Sequence, residues 1–325
     1  MAITKLTRRT FLASSAIGAA QQRSDFRVDV DLVTLTFTAM QRNGQPVDDL
    51  RIEELRLLDD GQPRPIVNLW RDLDIPLTIG LIADVSITQA GYIASHRNTI
   101  HSFLNQVLHS GDRVFVVTTA ADVVLVADLT DSLPVVMEAI DKIESTQSYG
   151  KRLGPECPPK VLSEKNGITR QLSGCGGSEL WDAIFHSARL KLKPASGRKA
   201  LIFISDGLDT GSVHSLSDAI EAVQGADALV YTIFYRERNS GGAPINLERL
   251  ARDTGGRSFE AFGANFPKIF ARIEEDLRSI WVLAFRPPVG ADNGAFRKVK
   301  LTTTRKGITL RARPGYSAPA FQRPK

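Results

Sequence analysis

A doubly wound, mostly parallel α/β sheet flanked by helices, with a small β domain formed by the N- and C-terminal flanks, is the architecture this sequence predicts. Three observations predict it. Short apolar runs alternate with helix-period segments over residues 76–276. On either side, residues 25–73 and 280–317 show β character without helical periodicity. Three polar clusters follow an apolar strand or a Gly-rich loop, the positions where open parallel sheets gather ligands.

The elements follow in chain order. Apolar residues alternate through Phe26, Val28, Val30 and Leu32, then shift phase to Val33, Leu35 and Phe37, which predicts a long strand with a bulge. Asn43-Gly44 and Asp60-Gly61 are turns, with short strands over 55–58 and 65–70. From Pro76 the pattern predicts strands over 77–83, 112–119, 123–126, 200–205, 228–235 and 257–261. Helices are predicted over 92–109, 133–143, 179–192, 216–223, 247–253 and 266–278. Ser178, Ser215 and Asn246 serve as helix starts, and Gly225 and Gly255-Gly256 as stops. The tail returns to strands over 280–285, 297–304 and 308–313. The two terminal β segments are expected to pair with each other, since residues 25–73 are too short of core to stand alone.

Composition excludes several classes. The chain is 42% hydrophobic and 24% charged, enough for a packed core and ordinary for a soluble protein. No apolar run approaches the ~20 residues of a spanning helix. The formal charge of +5 falls to +2 once Lys5, Arg8 and Arg9 are set aside. The remaining charges are interspersed, with no basic stripe and interleaved aromatics of the kind nucleic-acid binding needs. Those three cations belong to residues 1–20, where Arg8-Arg9 precede Phe11-Leu12 and a mildly apolar stretch ends in small residues. This resembles a twin-arginine export signal and implies a periplasmic or extracellular protein.

Two cysteines, Cys157 and Cys175, lie in a polar Pro/Gly-rich stretch without nearby histidines, so they make no zinc site. In an oxidising compartment a Cys157–Cys175 disulfide is one reading, worth roughly 3 kcal/mol for a loop of this size, and two free thiols are the other.

The first polar cluster is Asp84, Ser86 and Thr88, a carboxylate and two hydroxyls at alternate positions after the apolar run from Leu77. Converging hard oxygen donors suit Mg²⁺ (or Mn²⁺/Ca²⁺). The second cluster is Gly176-Gly177-Ser178. The third is Ser205-Asp206-Gly207-Leu208-Asp209, after Leu201-Ile202-Phe203-Ile204.

Together the clusters resemble the metal-ion-dependent adhesion site of von Willebrand factor type A domains. That family's pattern is Asp-x-Ser-x-Ser, then a Thr on a Gly-rich loop, then Asp-Gly. Here Thr88 replaces the last Ser and Ser178 stands at the Thr position; both substitutions keep a hydroxyl oxygen. The flanks, Gly44-Gln45-Pro46-Val47 and Leu57 to Pro63 before the domain and Arg311 to Tyr316 after it, resemble a bacterial exported family related to von Willebrand factor A. By this resemblance Ser86, Thr88 and Ser178 contact the ion directly or through water. Asp84 and Asp206 neutralise it, and one position stays open for an Asp or Glu carboxylate of a partner protein. The loop over 146–177, which leads into Ser178, is expected to shape the rim of that partner site.

Each piece has a commoner use. Asp, Ser and Thr cap turns and helices, Ser178 could serve as an N-cap, and Asp206-Gly207 is a frequent turn. It is the order of the three elements that argues for a metal. Asp209 is read as a turn or supporting residue outside the ligand set, Trp181 as core, and all five histidines as structural or solvated. Two other functions compete. Asp84-Val85-Ser86-Ile87-Thr88 is similar to the haloacid-dehalogenase nucleophile motif, but Ser86 stands where that chemistry needs a second acid. The other is a metal-free scaffold of an envelope complex.

Overall fold

The computed structural model describes residues 32–71, 75–86, 93–143, 151–153, 160–161, 171–172, 178–235, 242–261, 265–288 and 295–317. The export-type segment, Thr88, Cys157 and Cys175 lie outside the described residues, as does most of the 146–177 loop.

In chain order the strands begin with β1 (Val33–Gln41), β2 (Leu55–Asp59), β3 (Gln62–Arg64), β4 (Ile66–Arg71) and β5 (Leu77–Asp84). Then come α1 (Ile93–Val107), β6 (Arg113–Thr119), β7 (Val123–Thr130) and α2 (Leu133–Asp141). Three two-residue strands follow, β8 (Lys151–Arg152), β9 (Lys160–Val161) and β10 (Gln171–Leu172). The central strands and helices resume with α3 (Leu180–His186), β11 (Arg198–Ser205), α4 (Leu216–Gly225), β12 (Ala228–Phe234), α5 (Pro244–Thr254), β13 (Arg257–Glu260) and α6 (Phe266–Arg278). The chain closes with β14 (Ile280–Phe285), β15 (Phe296–Thr303), β16 (Ile308–Ala312) and β17 (Gly315–Ser317).

The central sheet runs β13-β12-β11-β5-β6-β7-β8. Pairings from β13 to β6 are parallel, whereas β7 returns antiparallel to β6 through a short turn. Its inner strands are apolar on both faces, which is why they read as near-continuous hydrophobic runs rather than as alternation. On β11, Ala200, Ile202 and Ile204 face the core shared with α1, α2 and α6, and Leu201 and Phe203 face the one shared with α3, α4 and α5. At Gly80 on β5 a Cβ would lie 2.3 Å from Phe115 Cζ and 2.5 Å from Leu201 Cδ2, so only glycine fits between those two side chains.

Two four-stranded antiparallel sheets, β16-β1-β14-β4 and β17-β15-β2-β3, are built from the chain's two ends. Val33 pairs with Phe285 and Val299 with Asp59. Leu35, Phe37, Leu57, Leu283 and Phe285 form their shared core, and the Trp281 indole donates to the Val47 carbonyl at 2.9 Å.

Several boundaries differ from expectation for identifiable reasons. The long helix over 179–192 changes to a π-helical turn at Ser187–Leu192. The helix expected from Asn246 starts at Pro244, a residue suited to the first turn because it has no N–H to leave unpaired. Gly225 sits inside α4 and Ala226 is its C-cap, whereas Gly255 ends α5 in the left-handed region at φ +86°. Beyond Pro314 the chain forms β17, which pairs with β15.

Candidate metal centre

Parallel pairing sets Ala83 opposite Ile204, so β5 and β11 end side by side, and Asp84 leaves the sheet next to Ser205 and Asp206. Asp84 is 1% exposed. Its Oδ1 accepts from the Ser86 N–H at 2.9 Å and its Oδ2 accepts from the Ser205 hydroxyl at 2.8 Å. Burial pushes its carboxyl up to about 6 against the lowering effect of the Ser86 and Ser205 bonds, and the nearby charge of Asp206 adds to the rise.

Asp206 is equally buried. Its Oδ1 accepts from the Leu208 N–H at 3.0 Å, and its carbonyl accepts from the Ala243 N–H at 2.9 Å. The turn depends on Gly207, which has φ +77° and whose missing Cβ would lie 2.7 Å from the Ala243 carbonyl oxygen. The Gly207 N–H donates to Ser205 Oγ at 3.0 Å, so one hydroxyl links the Asp84 carboxylate to the backbone of the third cluster.

Ser178 joins the same edge through two sets of bonds. On one side, the Val85 N–H donates to the Thr119 carbonyl and Thr119 Oγ1 donates to the Glu179 carbonyl, both at 2.9 Å. On the other, the Ser178 N–H donates to Thr210 Oγ1 at 3.0 Å, while its carbonyl accepts from the N–H groups of Thr210 and Gly211 at 3.1 Å. The structure therefore gathers Asp84, Ser86, Ser178 and Asp206 at one end of the sheet. Thr88 lies outside the described residues.

Ser178 is not the cap of α3. The N-cap position is Glu179, without a side-chain cap. The orphan N–H groups of Leu180 and Trp181 donate to Asp209 Oδ1 at 2.8 and 3.4 Å, and those of Trp181 and Asp182 to Ser212 Oγ at 2.9 and 3.1 Å. Ser212 Oγ also donates to Asp209 Oδ1 at 2.5 Å. Asp209, Thr210 and Ser212 thus moor the second cluster to the third. Only Asp209 was visible in the sequence, as a supporting residue. Trp181 is core, as expected.

The donor set is all oxygen: buried carboxylates and hydroxyls, with neutral groups donating to Asp84. That chemistry fits a hard dication, which would offset the two adjacent buried carboxylates, better than a soft metal.

No protein-family model matches the chain, and no curated protein matches it in sequence. Solved structures do. BatB from Bacteroides thetaiotaomicron is 15% identical, with 61% of this chain and 98% of that one covered at a TM-score of 0.43. Proximal thread matrix protein 1 from the mussel byssus, with a zinc-occupied MIDAS motif, is 15% identical over 66% of this chain and 48% of that one, at 0.48. The vWF domain of the type V pili tip protein Mfa5 from Porphyromonas gingivalis is 13% identical over 62% and 94%, at 0.41. With an open sheet ordered β13-β12-β11-β5-β6-β7-β8 and, among the described residues, helices on both faces and polar loops at one end, the chain has a von Willebrand factor type A-like fold.

Proposed function

We propose that the chain is an exported, non-catalytic protein-binding module whose contact with its partner runs through a divalent cation. The cation would be held by Asp84, Ser86, Thr88, Ser178 and Asp206. The observation that carries this reading is the pair of buried carboxylates, Asp84 and Asp206, at adjacent strand ends. Ionised Asp84 is costly in the absence of a cation, as its raised carboxyl records, and a dication removes that cost. Mg²⁺ suits the set because it accepts one or two carboxylates and keeps its remaining positions for hydroxyls and water. Hydroxyl ligands do not neutralise the ion, so an exchangeable position attracts an outside carboxylate, and a partner's Asp or Glu supplies one. Ser86 leaves the site without the acid that phosphoryl transfer would need.

A melting experiment tests the metal. In the full chain, Mg²⁺ at about 100 times its Kd adds about 2.7 kcal/mol of stability, a rise of several degrees that EDTA reverses. Asp84→Ala abolishes the rise. Mn²⁺ and Ca²⁺ run in parallel identify the preferred ion. A wild-type melt indifferent to all three ions and to EDTA overturns the proposal in favour of a metal-free scaffold.

A further inference from the structure

A second group of metal-ligating side chains lies along α3, beyond Ser178. Asp182 and His186 stand four residues apart on α3 and so share one helix face. His214 comes from the loop just before α4. One ligand atom from each of the three lies within 4.8 Å of the other two. In the sequence His186 and His214 are two of five scattered histidines that read as structural or solvated; the fold brings their rings to a centroid distance of 5.3 Å, edge to face.

The group is held in place before any ligand arrives. The Val213 and His214 N–H groups donate to Asp182 Oδ2 and Oδ1, both at 2.9 Å. His214 Nδ1 sits 2.7 Å from Oδ1, so this nitrogen and the carboxylate face one point, and an ion placed there would take the position of the proton between them. Phe185 stacks on the His214 ring at 3.7 Å and fixes its plane. Asp182 and His186 are buried, at 4% and 9% exposure, while His214 is 27% exposed and lines a groove of about 520 Å³ with Phe185, Arg189 and Glu221. An ion can therefore enter from the groove side.

We propose that Asp182, His186 and His214 form a second metal site, selective for a late first-row dication such as Zn²⁺ rather than Mg²⁺. Two imidazoles and a carboxylate are borderline donors that favour Zn²⁺, whereas Mg²⁺ prefers oxygen alone. At Zn–N lengths of about 2.0 Å tetrahedral ligand atoms sit roughly 3.3 Å apart, a spacing between the 2.7 Å of His214 Nδ1 and Asp182 Oδ1 and the 4.8 Å limit of the three. Water fills the remaining position. Because Ser212 and Asp182 both hold the 209–214 loop to α3, occupancy also stiffens the loop that anchors Ser178.

Co²⁺ reports on the site directly. The full chain, stripped with chelator, is titrated with Co²⁺ while the visible absorption of a four-coordinate nitrogen/oxygen site is followed. The expected result is one saturable equivalent, displaced by Zn²⁺, unaffected by excess Mg²⁺ and retained in Asp84→Ala. His186→Gln and His214→Gln each weaken it by at least about 10–100-fold, the range already reached when only a ligand's outer partner is lost. Circular dichroism of both variants verifies the fold. Absence of a saturable Co²⁺ signal in the wild type overturns the proposal. So does a signal that survives in both folded histidine variants, or one that disappears in Asp84→Ala instead.

Discussion

Ser205 donates its hydroxyl to Asp84 Oδ2 at 2.8 Å and accepts the Gly207 N–H at 3.0 Å, so a single side chain on β11 fixes both the carboxylate at the end of β5 and the turn that carries Asp206. The bond lowers the cost of ionising Asp84 without cancelling burial, which keeps the carboxyl at about 6.

The pH dependence follows from that raised value. The folded pKa lies above the ordinary 3.8, so the contribution of Asp84 to stability is fully present below 3.8 and is lost as pH rises through 6. The shift corresponds to about 3 kcal/mol. In EDTA, Asp84→Asn is therefore expected to gain on the wild type at pH 7.5 and to give up about 3 kcal/mol of that relative gain by pH 3.5. Urea unfolding of both proteins across this range measures it; a pH-independent difference would contradict the assignment.

Metal binding titrates with the same group. Mg²⁺ requires the unprotonated carboxylate, so its affinity is expected to level off above pH 7 and to weaken by nearly tenfold per unit below about 6. Isothermal titration at pH 5, 6 and 7.5 gives the slope. Identical affinities at all three would remove Asp84 from the metal's surroundings.

Asp209 offers a separate handle, because it supports the site without belonging to the ligand set. Asp209→Ala strips the cap from Leu180 and Trp181, and a loss of about 1–2 kcal/mol is expected. Since the same loop holds Ser178 through Thr210, the Mg²⁺-induced rise in melting temperature should shrink as well. A variant that is destabilised yet keeps the full Mg²⁺ response would separate the cap from the site.

The parts of this molecule that were legible in sequence are those set by local chemistry. The apolar runs of β5, β11 and β12 announce strands buried on both faces, and Ser215 announces the start of α4, where the structure adds Asp218 as the other half of a capping box. Asp84 and Asp206 could be found because one ends its apolar strand and the other directly follows its own. What stayed hidden depends on chain crossings. Ser178 has the right chemistry for an N-cap, but Asp209, 29 positions beyond Leu180, does that work, and no periodicity encodes so distant a donor. The meeting of His186 with His214 is hidden for the same reason.

The paired β sheets place their own buried charge under test. Asp59 ends β2 with no exposure; its Oδ1 accepts from Arg297 Nε at 2.9 Å and its Oδ2 from the Tyr316 hydroxyl at 3.2 Å. Burial and the Asp59 charge push the Tyr316 phenol up to about 12. Arg297 comes from β15 and Tyr316 from β17, so one carboxylate ties an N-terminal strand to two C-terminal ones. Asp59→Ala removes the acceptor of the Tyr316 hydroxyl and leaves Arg297 only its pair with Asp60 at 3.0 Å, and should cost about 2–3 kcal/mol. Tyr316→Phe removes one neutral donor from an otherwise intact pair and should cost about 1 kcal/mol. Urea unfolding ranks the two. If Asp59→Ala proves no worse than Tyr316→Phe, the Arg297–Asp59 pair does not hold the two ends of the chain together, and their apolar core around Phe37 and Phe285 does so alone.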